Sequence, residues 1–382
     1  MKKVSIALIV VALTISMVFI GFGCKASTAA TETAAAATTT ASETTASETT
    51  APETTAAKEH IVMGLVHMST THPYHIAELN GSRELARRRG AEMIITTGEF
   101  VLENQIAATE DLLASRGKDL DVITILPLDQ NAFLPIYDKI VKMGIPLVTI
   151  QSYNPPEQAE MIIGYEEFAC SATAGEYVVK LLTERYGEPK GQVAAIGGVL
   201  GQDAHEYRSK GFKSVIDQYP NIKLVAITPA DYLADKALVV MEDYITTYPD
   251  LDAVFCFADE MGVAAAQAIE AAGKSEQIMV VGYGGTQMDA VKEGKMIATI
   301  KLELGPESAG YLHQYWAYKV AIGEEIPNRE VRGLGYVMDK TNVDKWQKLM
   351  DAVNADIESF PFENEQGVFD SESVLREYGI LE

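Results

Sequence analysis

From Ile61 onward, short apolar runs alternate with longer segments in which apolar residues recur at helical spacing. The predicted strands are rich in Val and Ile at both odd and even positions, which is typical of parallel strands covered on both faces. They span residues 61–67, 91–96, 121–126, 145–151, 192–197, 223–228, 252–257, 278–283 and 296–302. This repeated alternation predicts an α/β fold built from parallel sheets with helices on both faces.

The predicted helices lie between these strands and divide into two groups. They span residues 73–89, 102–116, 132–143, 166–186, 206–219, 234–247, 262–272 and 307–322. Four strands come before Tyr153 and four or five after it, and 382 residues are too many for one ordinary domain. The pattern therefore predicts two doubly wound parallel-sheet lobes, each with its own core.

Charge and cysteine content exclude several classes of protein. The chain has 31 Lys and Arg against 54 Asp and Glu, a net charge of -23, and such a field repels nucleic acid. We therefore expect no nucleic-acid partner. Cys24, Cys170 and Cys256 are too few for a disulfide framework or a cysteine-based zinc site. We expect Cys170 and Cys256 to be free, buried thiols.

The N-terminal segment predicts export. Two lysines precede a mostly apolar run over residues 4–22, which is typical of a signal peptide at residues 1–23. The run ends in Gly21-Phe22-Gly23-Cys24, which resembles a bacterial lipobox and predicts a lipid on Cys24. The alternative is an uncleaved membrane helix. Residues 24–58 beyond it are almost wholly Ala, Thr, Ser and Glu, a composition that predicts a disordered tether outside the cytoplasm.

Residues that follow the predicted strands carry the functional signal, because open α/β sheets bind ligands beyond the carboxyl ends of their strands. The relevant blocks are His72-Pro73-Tyr74-His75, residues 201–212, Pro229-Ala230-Asp231-Tyr232, residues 257–261 and residues 281–286. Their order and spacing resemble those of the ribose- and galactose-type sugar-binding proteins of bacterial ABC importers, a branch of the type I periplasmic binding proteins. The resemblance covers roughly residues 59–338.

This resemblance implies two Rossmann-like lobes joined by a hinge of three crossings, near residues 153–165, near Glu303 and near Val331. The N-terminal lobe would comprise residues 59–160 and 304–331. The C-terminal lobe would comprise residues 161–303 and 332–345. Residues 346–382 would then form a C-terminal extension of unassigned role.

The resemblance also implies a set of ligand-binding positions. Tyr74 and Tyr232 fall where the family stacks aromatic rings on a sugar. The remaining implied positions are His72, His75, Gln151, Ser152, Glu206, Arg208, Ala258, Asp259, Tyr283, Gly284 and Glu303. Several of these depart from the family pattern, which has Asp-Arg at Gln151-Ser152, Arg at Glu206, Asn at Ala258 and Asp at Gly284.

These departures change the expected ligand. A buried hydroxyl left without a partner costs about 1–3 kcal/mol, so we expect weak binding of ribose. The space vacated at Ala258 and Gly284 suggests a larger or less hydroxylated solute, held largely by aromatic stacking. Asp259 could instead serve only to cap a helix, because acidic residues favour a helix N-terminus.

No readable catalytic or cofactor motif is present. The chain lacks GxSxG, Walker, GxGxxG and HExxH patterns, so we expect no enzyme activity and no cofactor. His72, His75, His205 and Glu206 could hold a metal ion only if the lobes closed on it, and we expect none. We predict a monomeric, lipid-anchored solute-binding protein that delivers a sugar-like molecule to an ABC permease. The alternative is a sensor that presents a bound small molecule to a membrane receptor.

Overall fold

The computed structural model describes residues 60–382, apart from 152–156, 303–304, 327 and 359–370. These residues belong to one compact unit, Ala56–Glu382. The predicted signal peptide, the lipidation site at Cys24 and the tether lie outside the described residues. Within the described part, no helix combines the length and apolar character needed to cross a membrane. Cys170 and Cys256 are buried thiols that do not form a disulfide, as predicted.

The first sheet contains six strands, all parallel. They are β1 (Val62–His67), β2 (Glu92–Thr97), β3 (Val122–Ile125), β4 (Leu147–Ile150), β5 (Met161–Tyr165) and β11 (Glu330–Gly333), in the order β11-β5-β4-β3-β1-β2. The helices of this lobe are α1 (Pro73–Arg89), α2 (Leu102–Arg116), α3 (Gln130–Lys142) and α9 (Gly305–Ala321). β1, β3 and β4 are buried along their whole lengths, as expected of strands covered on both faces.

The second sheet has the same strand arrangement with one reversed edge. Its strands are β6 (Gly191–Gly197), β7 (Ile222–Pro229), β8 (Leu251–Cys256), β9 (Met279–Gly284), β10 (Ala298–Leu302) and β12 (Gly335–Asp339), in the order β12-β10-β9-β8-β6-β7. Only β12 is antiparallel to its neighbour among these strands. The helices are α4 (Glu167–Tyr186), α5 (Asp203–Ile216), α6 (Ala234–Thr247), α7 (Asp259–Ala271) and α8 (Met288–Glu293), followed after β12 by α10 (Val343–Ala355) and α11 (Ser371–Glu377).

The two-lobe α/β architecture is confirmed, and the crossings between the sheets differ in detail from the prediction. β5 pairs with β4, so the first sheet extends to Tyr165 and not to residue 160. β11 continues the first sheet to Gly333, and Leu334 alone separates it from β12 of the second sheet. The sequence did not predict β5, β11 or β12. β11 and β12 are short edge strands, whose pairing depends on partners distant in the chain.

Helices α1 and α9 pack with their backbones in close approach. A Cβ atom at Gly81 would clash with the carbonyl oxygen of Glu307, and one at Gly310 would clash with the carbonyl oxygen of Glu78. Ser82 Oγ donates to the Gly310 carbonyl oxygen at 3.2 Å across this crossing. Two glycines in different helices therefore fix the distance between α1 and α9, and with it the position of the side chains between them.

Candidate ligand-binding site

A cavity of about 60 Å³ lies where the carboxyl ends of the strands of both sheets meet. Its lining residues follow strands or end them in nearly every case, as expected for open α/β sheets. They are Met68, His72, Tyr74, His75, Phe100, Gln151, Gln202, Ala204, Arg208, Tyr232, Phe257, Ala258, Glu260, Tyr283, Gly284 and Leu302. A larger depression of about 600 Å³ lies near Met279 and Ile297, at the amino ends of β9 and β10, where this fold does not bind its ligands.

The two lobes touch across the cavity. His72 Nε2 lies 3.4 Å from the carbonyl oxygen of Tyr232, and Gln202 Nε2 lies 3.4 Å from Met68 Sδ. Each of these pairs joins a residue of the first lobe to one of the second. The structure is therefore closed around the cavity.

Nine of the predicted binding residues line this cavity. They are His72, Tyr74, His75, Gln151, Arg208, Tyr232, Ala258, Tyr283 and Gly284. Ser152 and Glu303 lie outside the described residues. The structure does not bring Glu206 or Asp259 to the lining.

Glu206 faces away from the cavity. Its side chain is 42% exposed and lies 3.9 Å from Lys210 along α5. Residues two apart on a helix point in nearly opposite directions, because each residue turns the helix by 100°. With Arg208 directed inward, Glu206 therefore cannot occupy the position of a second ligand anchor.

Asp259 has a structural role inside the second lobe. Its carboxylate accepts hydrogen bonds from Thr299 Oγ1 at 2.6 Å and from the backbone N–H groups of Thr286 and Gln287 at 2.7 and 3.1 Å. Burial raises the pKa of Asp259, and these hydrogen bonds act against that shift. Asp259 thus ties the loop after β9 to β10, while the adjacent Glu260 reaches the cavity.

Arg208 is paired with a carboxylate inside the protein. Its Nε and Nη2 donate to the two carboxylate oxygens of Glu167 at 2.6 and 2.7 Å, and Nη1 donates to the Phe257 carbonyl oxygen at 2.7 Å. Tyr283 Oη also donates to Glu167, and its ring centroid lies 4.0 Å from the guanidinium carbon. The charge that Arg208 could offer a ligand is therefore largely neutralised.

Three buried polar atoms in the lining have no hydrogen-bond partner among the described residues. They are His72 Nδ1, Gln202 Oε1 and the Tyr232 hydroxyl. Burial raises the pKa of Tyr232 to about 12, so this hydroxyl keeps its proton and can donate. Unpartnered buried groups cost free energy, and a ligand that bonds to them removes that cost.

Aromatic rings form much of the remaining wall. In the first lobe, the His72 and His75 rings lie 5.8 and 5.4 Å from Phe100, and the Tyr74 ring lies 5.5 Å from His75. Tyr232, Phe257 and Tyr283 face them from the second lobe. Such a wall suits the apolar face of a ring-shaped molecule.

Glu99 holds the loop that leads into α1. Its carboxylate accepts from the Thr70 backbone N–H at 2.8 Å, and from the hydroxyls of Thr70, Ser69, Thr71 and Thr97 at 2.6, 2.8, 3.0 and 2.8 Å. This loop carries His72 and Tyr74 into the cavity wall. The sequence analysis missed Glu99, although the run Ser69-Thr70-Thr71 after β1 signals a cluster of donors in need of an acceptor.

Replacing Glu99 with Gln is expected to make the stability of the protein fall less steeply as the pH is lowered. Burial alone would raise the pKa of Glu99, but hydrogen bonds from Thr70, Ser69 and Thr97 outweigh it and lower the pKa to about 2. A carboxyl group with a depressed folded-state pKa stabilises the fold above its unfolded pKa, and this contribution is lost as pH falls through the folded pKa. Urea midpoints should therefore fall more steeply for the parent than for E99Q between pH 4.5 and pH 2. Parallel profiles would contradict this assignment.

The sequence analysis also missed seven lining residues, namely Met68, Phe100, Gln202, Ala204, Phe257, Glu260 and Leu302. Most stand within a few positions of a strand end, as Met68 and Phe257 do directly after β1 and β8. Gln202, Ala204, Phe257 and Glu260 lie inside blocks that resemble the sugar-binding family, but not at the positions that the resemblance implied. Met68, Phe100 and Leu302 lie outside those blocks, and applying the strand-end rule to every strand would have indicated them.

Comparisons with known proteins agree with this fold. Residues 63–325 match the periplasmic binding protein domain. The ribose import binding protein of Bacillus subtilis is 27% identical over 271 residues, which cover 70% of this chain and 84% of that protein. The xylitol-binding protein of Mycolicibacterium smegmatis is 26% identical over 222 residues, which cover 57% of this chain and 61% of that protein.

Solved structures show the same fold. A solute-binding protein of an ABC transporter from Actinobacillus succinogenes, with bound D-allose, has a TM-score of 0.65 and 26% identity, covering 75% of this chain and 99% of that one. A myo-inositol-bound relative from Bacillus halodurans has a TM-score of 0.69 and 23% identity, covering 75% of this chain and 97% of that one. With a two-lobe fold, a closed cavity at the strand ends and a match over most of its length, this chain belongs to the periplasmic binding protein domain family, whose members bind solutes and are not enzymes.

Proposed function

We propose that this protein captures one compact, sugar-like solute between its lobes and delivers it to an ABC import permease without transforming it. The observation that carries the proposal is the closed cavity at the strand ends of both sheets, walled by aromatic rings and holding three unpartnered polar atoms. The relatives named for ribose and xylitol support a sugar or polyol as the ligand class.

The cavity favours a small ligand with few hydroxyl groups. Its 60 Å³ is room for only about four to six water-sized spheres, on a scale of about 10–15 Å³ each. This size favours a single ring and argues against the larger solute that the sequence also allowed. Arg208 is already paired with Glu167, so few charged groups remain to satisfy a fully hydroxylated pentose.

Ribose is therefore expected to bind weakly, whereas a less hydroxylated ring or polyol is expected to bind tightly. A thermal-shift screen of sugars, polyols, nucleosides and amino acids on refolded, ligand-free protein identifies candidates, because ligands that bind the folded state raise its melting temperature. Calorimetry then gives the dissociation constants, and mass spectrometry of the recovered ligand tests that it is unchanged. Tight ribose binding would overturn the specificity argument, and a chemically altered ligand would overturn the assignment as a binding protein.

Tyr74→Ala and Tyr232→Ala are each expected to weaken binding of the best ligand by about 1–3 kcal/mol, because each removes one aromatic face of the cavity. The matched control is Tyr207→Ala, since Tyr207 lies outside the lining and its ring faces Lys210 on α5. Calorimetry on the three variants measures the difference. Unchanged affinity in both cavity variants would place the ligand elsewhere.

We further propose that the protein is a monomer anchored to the outer face of the cell membrane by a lipid on Cys24. The sequence around Cys24 and the apolar run before it support this. Membership of an extracytoplasmic binding family agrees with the same location. A Cys24→Ala variant should appear in the soluble fraction, and mass spectrometry should find no acyl group on it. Import-protein relatives favour the transport role over the sensor alternative.

A further inference from the structure

We propose that His67, His75, Glu78 and His313 form a transition-metal site in the first lobe, directly behind the ligand cavity. His67 ends β1, while His75 and Glu78 lie one turn apart on α1. His313 comes from α9, which the glycine contacts at Gly81 and Gly310 bring close to α1. Three separate elements thus direct three imidazoles toward one carboxylate.

The distances around Glu78 suit a shared cation. Glu78 Oε2 lies 3.1 Å from His67 Nε2 and 3.3 Å from His75 Nδ1, and Oε1 lies 3.2 Å from His313 Nδ1. Four ligands about 2.0–2.1 Å from a tetrahedral zinc-class ion lie about 3.3–3.4 Å from one another. Hydrogen bonds between charged partners are shorter, at about 2.7–2.9 Å. The observed separations of 3.1–3.3 Å satisfy hydrogen bonds from His67 and His75, and they also match the edges of a coordination tetrahedron.

The possible ligand atoms of three of these side chains also lie close together. One ligand atom each from His67, His75 and Glu78 lie within 4.8 Å of one another. His313 is not in this group of three, but its Nδ1 contacts the second carboxylate oxygen of Glu78 at 3.2 Å. Two imidazoles and one carboxylate therefore already converge, and a third imidazole lies against the same carboxylate.

Burial makes a cation favourable at this place. All four side chains are buried, with His67 and Glu78 each 1% exposed. In the described part of the chain, Glu78 has no Lys or Arg within ion-pair distance, and its ion-pair partners are the three imidazoles. A buried carboxylate needs a compensating charge, which protonated imidazoles or a divalent ion held by neutral imidazoles can supply.

The ligand types indicate which metals fit. Imidazole nitrogen suits zinc, copper, iron and nickel, whereas magnesium and calcium prefer oxygen. Three imidazoles and one carboxylate therefore select a transition metal of the zinc class. His75 also lines the ligand cavity, so a bound metal would fix the orientation of one side chain in the cavity wall.

Cobalt titration of the full chain, stripped with a chelator, tests the site. We expect one equivalent of Co²⁺ to bind with the visible absorption of a tetrahedral complex, and Zn²⁺ to displace it. Glu78→Gln and His313→Gln should each weaken the affinity by at least about 10-fold. The matched control is His205→Gln, because His205 is also buried but lies on α5 of the other lobe. The Co²⁺ affinity of this variant should equal that of the parent.

Circular dichroism on every variant shows that loss of binding is not loss of folding, and zinc should raise the melting temperature of the parent but not that of E78Q. Absence of stoichiometric Co²⁺ binding by the parent would overturn the proposal. Unchanged Co²⁺ affinity in both Glu78→Gln and His313→Gln would also overturn it. Either result would leave the cluster as a hydrogen-bonded structural group. Neither result would affect the proposed solute binding, which calorimetry measures separately.

Discussion

Replacing Glu167 with Gln is expected to lower the free energy of unfolding by about 3–5 kcal/mol, because it leaves the buried Arg208 guanidinium without its counter-charge. Glu167 is fully buried and the Arg208 side chain is 10% exposed, so water cannot replace the lost carboxylate. The carboxylate also accepts the Tyr283 hydroxyl, which would lose part of its partner. Urea denaturation of parent and E167Q, followed by circular dichroism, measures the difference.

Two further variants show whether the effect comes from the unpaired charge. Combining Glu167→Met with Arg208→Met should cost much less than the sum of the single changes, because apolar residues can replace a buried ion pair at little net cost. The control Asp217→Asn breaks the exposed pair between Lys213 and Asp217 and should cost less than about 1 kcal/mol. Additive single changes, or a loss in E167Q no larger than in the control, would contradict this account.

Gly310→Leu is expected to cost at least about 3 kcal/mol, because any side chain at this position meets the α1 backbone at Glu78 and forces the two helices apart. The control is Ala107→Leu on the exposed face of α2, where an added side chain reaches solvent and stability should change little. Chemical denaturation of both variants provides the measurement. Equal stability would mean that α1 and α9 tolerate a wider separation.

Gly310→Leu is also expected to weaken metal binding at the proposed site around Glu78. Separation of α1 from α9 moves His313 away from Glu78, so G310L should also bind Co²⁺ more weakly than the parent. Retention of parental Co²⁺ affinity by a destabilised but folded G310L would separate the metal site from the helix crossing.

Local pattern was sufficient to predict most of the secondary structure. All nine predicted strands are present with ends displaced by no more than two residues, and α1, α2 and α6 have the predicted limits. The reason is that strand and helix spacing of apolar residues is a property of neighbouring positions, and it is strong where both faces of a strand are buried. The edge strands β11 and β12 lacked this signal.

The ligand site was predictable in part, for a different reason. Tyr232 and Tyr283 stand at strand ends, so their place along the chain already located them near the cavity. Glu206 was assigned to the site by its position in a motif, but the direction of a helical side chain places it on the outside. Phe100 was missed because the loop after β2 was not among the blocks that resemble the family, and Gln202 was missed because it is not one of the positions that the resemblance implied within the block of residues 201–212.

The sequence by itself determined the class of fold, the two-lobe organisation and the strand ends at which the cavity lies, because each depends on local spacing or on short motifs. Only the tertiary structure decided which charged and polar side chains contact one another in and behind the cavity. Glu167 neutralises Arg208 from 41 positions away, and His313 meets Glu78 across two helices that approach through Gly81 and Gly310. Such contacts depend on how helices cross and on which way side chains point, and neither is written in the local spacing of residues.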